Sequence, residues 1–211
     1  MERIKKFSTF TIIEHAIAMV TFLILAVTGL IQRYHDLEIS KNLIIFLGGI
    51  DMVRIIHRSV GLIFSFEVLL HILAGAVSLY RGVEPQILIT GRDFKDAIHN
   101  IKYYLGFESK PAATGLFTYR QKFEYWGIVT GSIIMSITGL ILKYPVDTTK
   151  ILPGILIPAS KIIHTNHALI IVIIMLWHIY NAIFNPEVFP LNKSIFTGYV
   201  EGSKNIIIKK L

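Results

Sequence analysis

Hydrophobic residues are concentrated in four long runs separated by polar segments. Each run has about 20 residues or more with few charges, which is enough for an α-helix to cross the roughly 30 Å hydrocarbon core of a bilayer. Two other apolar runs, 43–50 and 153–159, are too short to cross. The second contains two prolines, which favours a loop lying against the other segments. The predicted spans are approximately residues 11–31, 55–80, 123–142 and 162–184.

The segment between the second and third spans, residues 81–122, is polar and mixed in charge. Within it, residues 93–105 have the pattern of a helix lying on a surface. No low-complexity region or change in composition separates a second domain. The sequence therefore predicts an all-α membrane protein, a four-transmembrane-helix bundle that forms a single domain over residues 1–211.

Histidines interrupt two of these runs at matching intervals. His57 and His71 are fourteen residues apart in the second span, and His164 and His178 are fourteen apart in the fourth. Each pair therefore lies on one helical face, with its imidazoles about 21 Å apart along the axis. Ionisable side chains inside a span are costly and usually functional. Two such helices side by side would present imidazoles at two depths, which predicts axial ligands for two haem groups.

Residue positions alone leave the ligand pairs partly open. His57 and His164 are the expected outer pair, because both begin spans that start on the same side of the membrane. The inner haem has three candidate ligands, His178, His71 and His15, and an iron with two axial histidines takes only two of them. The fourteen-residue spacing favours His71.

Three residues near His57 suit a bound haem. Arg54 and Arg58 flank His57, and arginine forks bind carboxylates such as haem propionates. Arginines at span ends are equally common as simple membrane anchors. Gly61 lies one turn after His57, where a small residue leaves room for a flat macrocycle or for helix packing.

Composition narrows the chemistry. Of the 211 residues 53% are hydrophobic, and the mean hydropathy is +0.60, too apolar for an ordinary soluble domain. Cysteine is absent, which excludes thiolate-ligated iron–sulfur clusters, disulfides and covalent c-type haem in this chain. A redox cofactor would have to be held without covalent attachment.

The distribution of basic residues predicts orientation. The formal charge is +7, and fourteen of the 21 lysines and arginines lie in the N-terminus, the 81–122 segment and the tail. Cytoplasmic loops carry such an excess, so both termini are expected to be cytoplasmic. In so apolar a chain, this charge indicates anionic lipid and not nucleic acid.

Several motifs resemble the cytochrome b (gamma) subunits of membrane-bound formate dehydrogenases and of related nickel–iron hydrogenases. The likeness covers nearly the whole chain, and the histidines with their flanks are its most specific part. The matching stretches are Glu14-His15, Thr28-Gly29-Leu30, Arg54-x-x-His57-Arg58-x-x-Gly61, Gln121-Lys122-x-x-Tyr125-Trp126, Thr138-Gly139-Leu140, His164-x13-His178-x-Tyr180 and Gly198.

This resemblance implies a dihaem b-type cytochrome in the prokaryotic cytoplasmic (inner) membrane. Such a subunit transfers electrons between a partner redox subunit and menaquinone or ubiquinone. The outer haem would be held by His57 and His164, and the inner haem by His15 and His178, in conflict with the spacing argument for His71. Gln121 matches a quinone-binding position.

The resemblance also implies partners. An iron–sulfur or multihaem c-type subunit would dock on the outer face, and a separate catalytic subunit would complete the complex. The chain itself is expected to have no independent substrate-oxidising site. Two other hypotheses are a haem-free transporter whose histidines line a metal or proton path, and a simple membrane anchor.

Overall fold

The computed structural model describes residues 3–82, 86–113, 115–186 and 189–201. The described chain is mostly helical. Two short strands, β1 (Arg3–Lys5) and β2 (Tyr199–Glu201), pair antiparallel with Ile4 opposite Val200. The helices are α1 (Thr9–Arg33), α2 (Glu38–Phe46), α3 (Ile50–Tyr80), α4 (Gly91–Tyr104), α5 (Tyr119–Lys143), α6 (Pro145–Ile151), α7 (Leu156–Ile179) and α8 (Ser194–Thr197).

Helices α1, α3, α5 and α7 are long and apolar enough to cross a membrane. The first three have 25, 31 and 25 residues. Helix α7 continues through a π-helical turn, Tyr180–Phe184, to a total of 29 residues. This confirms the predicted all-α membrane fold with four spans. The orientation of the termini stays a prediction, and the tail residues 202–211 lie outside the described residues.

Helix α3 begins five residues earlier than the predicted second span. Gly48 and Gly49 separate it from α2, and their φ values of 90° and 96° lie in the left-handed region that favours glycine. Asp51 then lies in the first turn, where a carboxylate interacts favourably with the helix dipole.

The expectation of a loop over residues 153–159 is wrong in part, because α7 begins at Leu156. Pro158 is the third residue of that helix. Backbone N–H groups in a first turn have no acceptor within the helix, so a proline there removes no hydrogen bond. Pro153 does precede the helix, as expected.

The chain divides into two compact units. One comprises Met1–Ile12, Leu73–Gly127 and Tyr180–Leu211, and the other comprises Ile13–Ile72 and Ile128–Ile179. We call the second the histidine unit, because it contains the five candidate ligands, and the first the terminal unit. The prediction of a single domain stays a prediction.

The interior of the histidine unit includes small polar residues, and many large apolar residues of this unit lie on its outside. Thr28 and Thr138 are 3% and 6% exposed, whereas Leu23 and Ile173 are 63% and 66% exposed. Small polar residues at helix contacts and apolar residues on the outside are typical of helices packed within lipid. The polar atoms that face inward are therefore available to fix other side chains.

Candidate functional site

Two pairs of histidine rings face each other in the histidine unit. His57 of α3 lies opposite His164 of α7, with ring centroids 6.4 Å apart. His15 of α1 lies opposite His178 of α7, with ring centroids 6.2 Å apart. The two α7 histidines are fourteen residues apart, so the pairs lie at levels separated by about 21 Å.

Threonines fix the rings of the first pair. Thr28 donates its hydroxyl proton to the carbonyl of Ile24 at 2.6 Å, and its oxygen lies 2.8 Å from Nδ1 of His57. Since the hydroxyl proton is already used, Thr28 accepts a hydrogen bond from Nδ1–H of His57. The other nitrogen, Nε2, then carries a free lone pair.

Thr138 fixes the ring of His164 in the same way. Thr138 donates to the carbonyl of Ile134 at 2.7 Å, and its oxygen lies 2.9 Å from Nδ1 of His164. Both rings of the pair therefore have the tautomer in which Nε2 is free to bind a metal.

A glycine follows each of these threonines and allows the ring to approach. A Cβ atom at Gly29 would lie 3.3 Å from Cε1 of His57, and one at Gly139 would lie 3.3 Å from Cε1 of His164. The family resemblance includes both Thr-Gly-Leu motifs but implies no role for them. Their repetition in the first and third spans is the feature of the sequence that could have indicated this shared role.

His71 has a different neighbour. Its Nδ1 lies 3.5 Å from Oε2 of Glu14, whose side chain is 12% exposed. The other carboxylate oxygen, Oε1, is buried with no hydrogen-bond partner among the described residues. Glu67 precedes His71 by one turn of α3. The structure thus brings His71 beside a carboxylate, and it brings His15 opposite His178.

The other predicted haem contacts are less constrained. Arg54 donates to Asp51 at 3.2 Å, and Arg58 is exposed. A Cβ atom at Gly61 would meet only Leu25, at 3.9 Å. Their roles towards haem stay predictions.

His167 of α7 lies at the contact between α5 and α7. Its Nε2 atom is buried without a hydrogen-bond partner in the described part of the chain. A Cβ atom at Gly131 would lie 3.1 Å from that nitrogen and 1.9 Å from Cδ1 of Ile171. Gly131 therefore permits a close helix contact here.

Gln121, the predicted quinone contact, lies in the terminal unit and caps α5. Its Oε1 accepts from the backbone N–H of Thr118 at 3.2 Å, and its own N–H donates to the Thr118 hydroxyl at 3.2 Å. This reciprocal capping box gives the glutamine a structural role at the start of α5, and its contact with a quinone stays a prediction. Lys6 also donates to Oε1, at 3.2 Å, and burial lowers the pKa of Lys6 to about 8.

Sequence reasoning missed a buried acid in the same unit. Glu124 is 8% exposed and accepts a hydrogen bond from the side-chain amide of Asn181. Glu124 lies one turn after Arg120 near the start of the third span, where an acidic residue resembles an ordinary span-end charge. Its hydrogen bond with Asn181, 57 residues further along the chain, distinguishes it.

Four membrane-spanning helices with facing pairs of histidines define a class of integral membrane protein that is suited to axial ligation of a metalloporphyrin. The chain matches the family model described as prokaryotic cytochrome b561 over residues 6–198, and it therefore belongs to that family. This is the cytochrome b family of the nickel–iron hydrogenase and formate dehydrogenase type, which confirms the resemblance and implies haem b binding. Comparison with curated proteins gave no match.

The donor atoms fit haem b. An imidazole nitrogen lies about 2 Å from the metal it binds, and its ring centre is about 1 Å further away, so two axial rings need centroids about 6 Å apart. The observed separations are 6.2 and 6.4 Å. Within the described ranges no three or more His, Cys, Asp or Glu side chains form a group suited to a metal ion. A haem needs only two from the protein, because the porphyrin supplies the other ligands.

Proposed function

We propose that this protein is a dihaem b-type cytochrome, the membrane subunit of a respiratory oxidoreductase complex. It transfers electrons across the membrane between a partner redox subunit and the quinone pool. The observation that carries this proposal is the occurrence of two facing histidine pairs, at two levels of one group of membrane helices. The haem-free alternatives, a transporter or a simple anchor, do not agree with membership of a cytochrome b family.

The outer haem is assigned to His57 and His164. Bound haem supplies one-electron redox chemistry, and the protein sets its potential through ligand identity, burial and hydrogen bonding. Thr28 and Thr138 contribute by fixing the imidazole tautomer and by accepting a hydrogen bond that makes Nε2 a stronger donor.

The inner haem is assigned to His15 and His178, in preference to His71. The rings of His15 and His178 have nearly the same separation as the outer pair. The side chain of His71 lies within ion-pair distance of Glu14. A carboxylate at the ring satisfies His71 without a metal, so the spacing argument for His71 carries less weight than the observed pairing.

The direction of the complex across the membrane follows from charge. The excess of basic residues favours cytoplasmic termini, and with that orientation His57 and His164 would lie towards the outer surface. An iron–sulfur or multihaem c-type partner would dock at that outer side, next to the catalytic subunit. Gln121, on the cytoplasmic side of the third span, is the proposed quinone contact, and the membrane is the prokaryotic inner membrane.

Alanine substitution of each histidine tests the ligand assignments. In His57→Ala or His164→Ala the haem content should fall from two to about one per chain, because each iron loses one of its two axial ligands. His15→Ala should likewise remove one haem, whereas His71→Ala should retain both. The measurement is the haem-to-protein ratio from the pyridine haemochrome spectrum of purified protein.

Two outcomes would contradict these assignments. Two intact haems in His57→Ala or His164→Ala would refute the outer pair. Loss of a haem in His71→Ala, together with retention of both haems in His15→Ala, would show that His71 and not His15 is the inner ligand. Exposed His35→Ala is a matched control that should leave the haem content unchanged.

A further inference from the structure

Helix α4 connects two membrane-spanning helices, and more than half of the surface of each residue on its hydrophobic face is exposed. Phe94, Ile98, Ile101 and Leu105 recur at intervals of three and four residues and form one stripe. They are 57%, 57%, 58% and 66% exposed. An amphipathic helix on a soluble surface would turn such a stripe towards the protein.

A different face of α4 contacts the rest of the terminal unit, through polar groups. Asp93 accepts from Nζ of Lys122 at 2.9 and 3.0 Å, and the two side chains are 6% and 13% exposed. Asn100 accepts from the backbone N–H of Ala112 at 2.7 Å. Asp93 and Asn100 are each 4% exposed. The helix is therefore held in place by its polar face, and its apolar stripe points away from these contacts.

The stripe continues onto a membrane helix. The ring of Phe94 lies 5.4 Å from the ring of Phe123, which belongs to the first turns of α5. Because α5 enters the bilayer, this contact places the start of the stripe at the level where the lipid begins. The chain leaves α3 and enters α5 on the same side of the membrane, since both helices cross it.

Basic residues border the stripe on one side. Lys95 and Lys102 each follow a residue of the stripe and are rotated by about 100° from it. Both are exposed. Lysines at this angle reach phosphate groups when the apolar face of the helix is inserted below them.

We propose that α4 lies in the membrane interface, with Phe94, Ile98, Ile101 and Leu105 inserted among acyl chains and with Lys95 and Lys102 bound to anionic phospholipid headgroups. The helix anchors the 81–122 segment to the bilayer and fixes the approach to α5. The ligand is a phosphate-bearing lipid surface, and this interaction is independent of haem binding and electron transfer.

Site-directed spin labelling of the full-length protein in lipid nanodiscs tests this proposal. The chain has no cysteine, so a single introduced cysteine is labelled uniquely. Ile98→Cys places a nitroxide in the stripe, and Arg92→Cys on the same helix places one on the solvent side as a matched control. Accessibility to oxygen, which partitions into lipid, is compared with accessibility to a water-soluble nickel chelate.

The label at position 98 should be accessible to oxygen and at least about threefold less accessible to the nickel chelate than the label at position 92. Adding phosphatidylglycerol to phosphatidylcholine nanodiscs should increase its immersion depth. In Lys95→Gln/Lys102→Gln this dependence on phosphatidylglycerol should disappear, while elution on size exclusion stays unchanged.

Three results would overturn the proposal. Equal nickel accessibility at positions 98 and 92 would place the stripe in water. Protection of position 98 from both reagents would show that a protein surface or a second copy of the chain covers it. An immersion depth that does not respond to phosphatidylglycerol would show that the two lysines do not bind anionic headgroups.

Discussion

Single hydroxyl groups orient the rings of His57 and His164. Thr28 and Thr138 each bond a carbonyl of their own helix and an imidazole of a neighbouring helix, at 2.8 and 2.9 Å from Nδ1. A buried imidazole with this partner is held in one rotamer and one tautomer, so its free nitrogen is aimed in advance.

Replacing either threonine by valine should weaken haem binding at the proposed site of His57 and His164. Thr28→Val or Thr138→Val keeps the side-chain shape but leaves Nδ1–H without an acceptor, and such changes near a metal ligand typically cost about 10- to 100-fold in affinity. We expect faster haem loss and a higher midpoint potential of one haem, because a less polarised imidazole stabilises ferric iron less. Redox titration followed in the α-band measures the midpoint potential, and the decrease of that band with time measures haem loss.

Thr21→Val is the control, because its hydroxyl bonds only carbonyls of its own helix among the described residues. It should leave both potentials unchanged. An unchanged potential in Thr28→Val and in Thr138→Val would contradict the role assigned to these hydroxyls.

The candidate histidine ligands could be recognised from the sequence, but the residues that orient their rings could not. An imidazole in an apolar run is conspicuous because it is costly there. A threonine is common in membrane helices, and Thr28 is significant only because α1 and α3 place it beside His57, 29 residues away. The His71 hypothesis had the same weakness, since helical spacing does not show which ring the neighbouring helix faces.

Helices α5 and α7 pack closely at a glycine of α5. At Gly131 of α5 a Cβ atom would lie 1.9 Å from Cδ1 and 2.9 Å from Cγ1 of Ile171, which is 6% exposed. The contact between α5 and α7 thus depends on glycine at this position.

Gly131→Ala should destabilise the protein by about 1–3 kcal/mol, because overpacking forces side chains or helices apart. Removing Cδ1 in Gly131→Ala/Ile171→Val should recover part of the loss. Gly75→Ala introduces a Cβ that meets nothing within 4 Å and should be neutral. Thermal unfolding in detergent, followed by circular dichroism, measures all three, and equal melting temperatures for Gly131→Ala and Gly75→Ala would contradict the packing argument.

The attachment of α4 to α5 should depend on pH. Burial alone raises the pKa of Asp93, but hydrogen bonds from Lys122 and Thr90 outweigh it and hold that pKa below its usual range. The folded state therefore binds the proton less readily than the unfolded state. The stability that this pair contributes is present above the ordinary pKa of 3.8 and is lost as the pH falls below it.

Asp93→Asn should lower the free energy of unfolding at pH 7 by about 2 kcal/mol, because the largely enclosed ammonium of Lys122 loses its carboxylate partner. The difference from the unsubstituted protein should narrow as the pH approaches 3. Asp96→Asn, which breaks the more exposed pair with Arg92, should have little effect. A difference between Asp93→Asn and the original protein that is constant with pH would show that this ion pair is not the cause.

The sequence predicted element type better than element boundaries. Four apolar runs defined the spans, because the thickness of a bilayer sets their length. The start of α3 at Ile50 and of α7 at Leu156 depended on two left-handed glycines and on a proline placed in a first turn. Such details depend on local backbone geometry that hydropathy does not report.

Each of the four membrane helices contributes residues to both the histidine unit and the terminal unit. The facing rings of the histidine unit could hold two haems, with about 21 Å between levels. A family match over residues 6–198 establishes the cytochrome b class, and the number of haems is the claim on which the proposed transmembrane electron transfer depends.

The haem content of the purified, unsubstituted protein tests this claim most directly. Expressed with ample haem supply, the protein should contain two haems per chain by pyridine haemochrome assay. Both should give low-spin ferric signals in electron paramagnetic resonance, as expected for two axial imidazoles. One haem per chain, or a high-spin signal at full occupancy, would contradict the account.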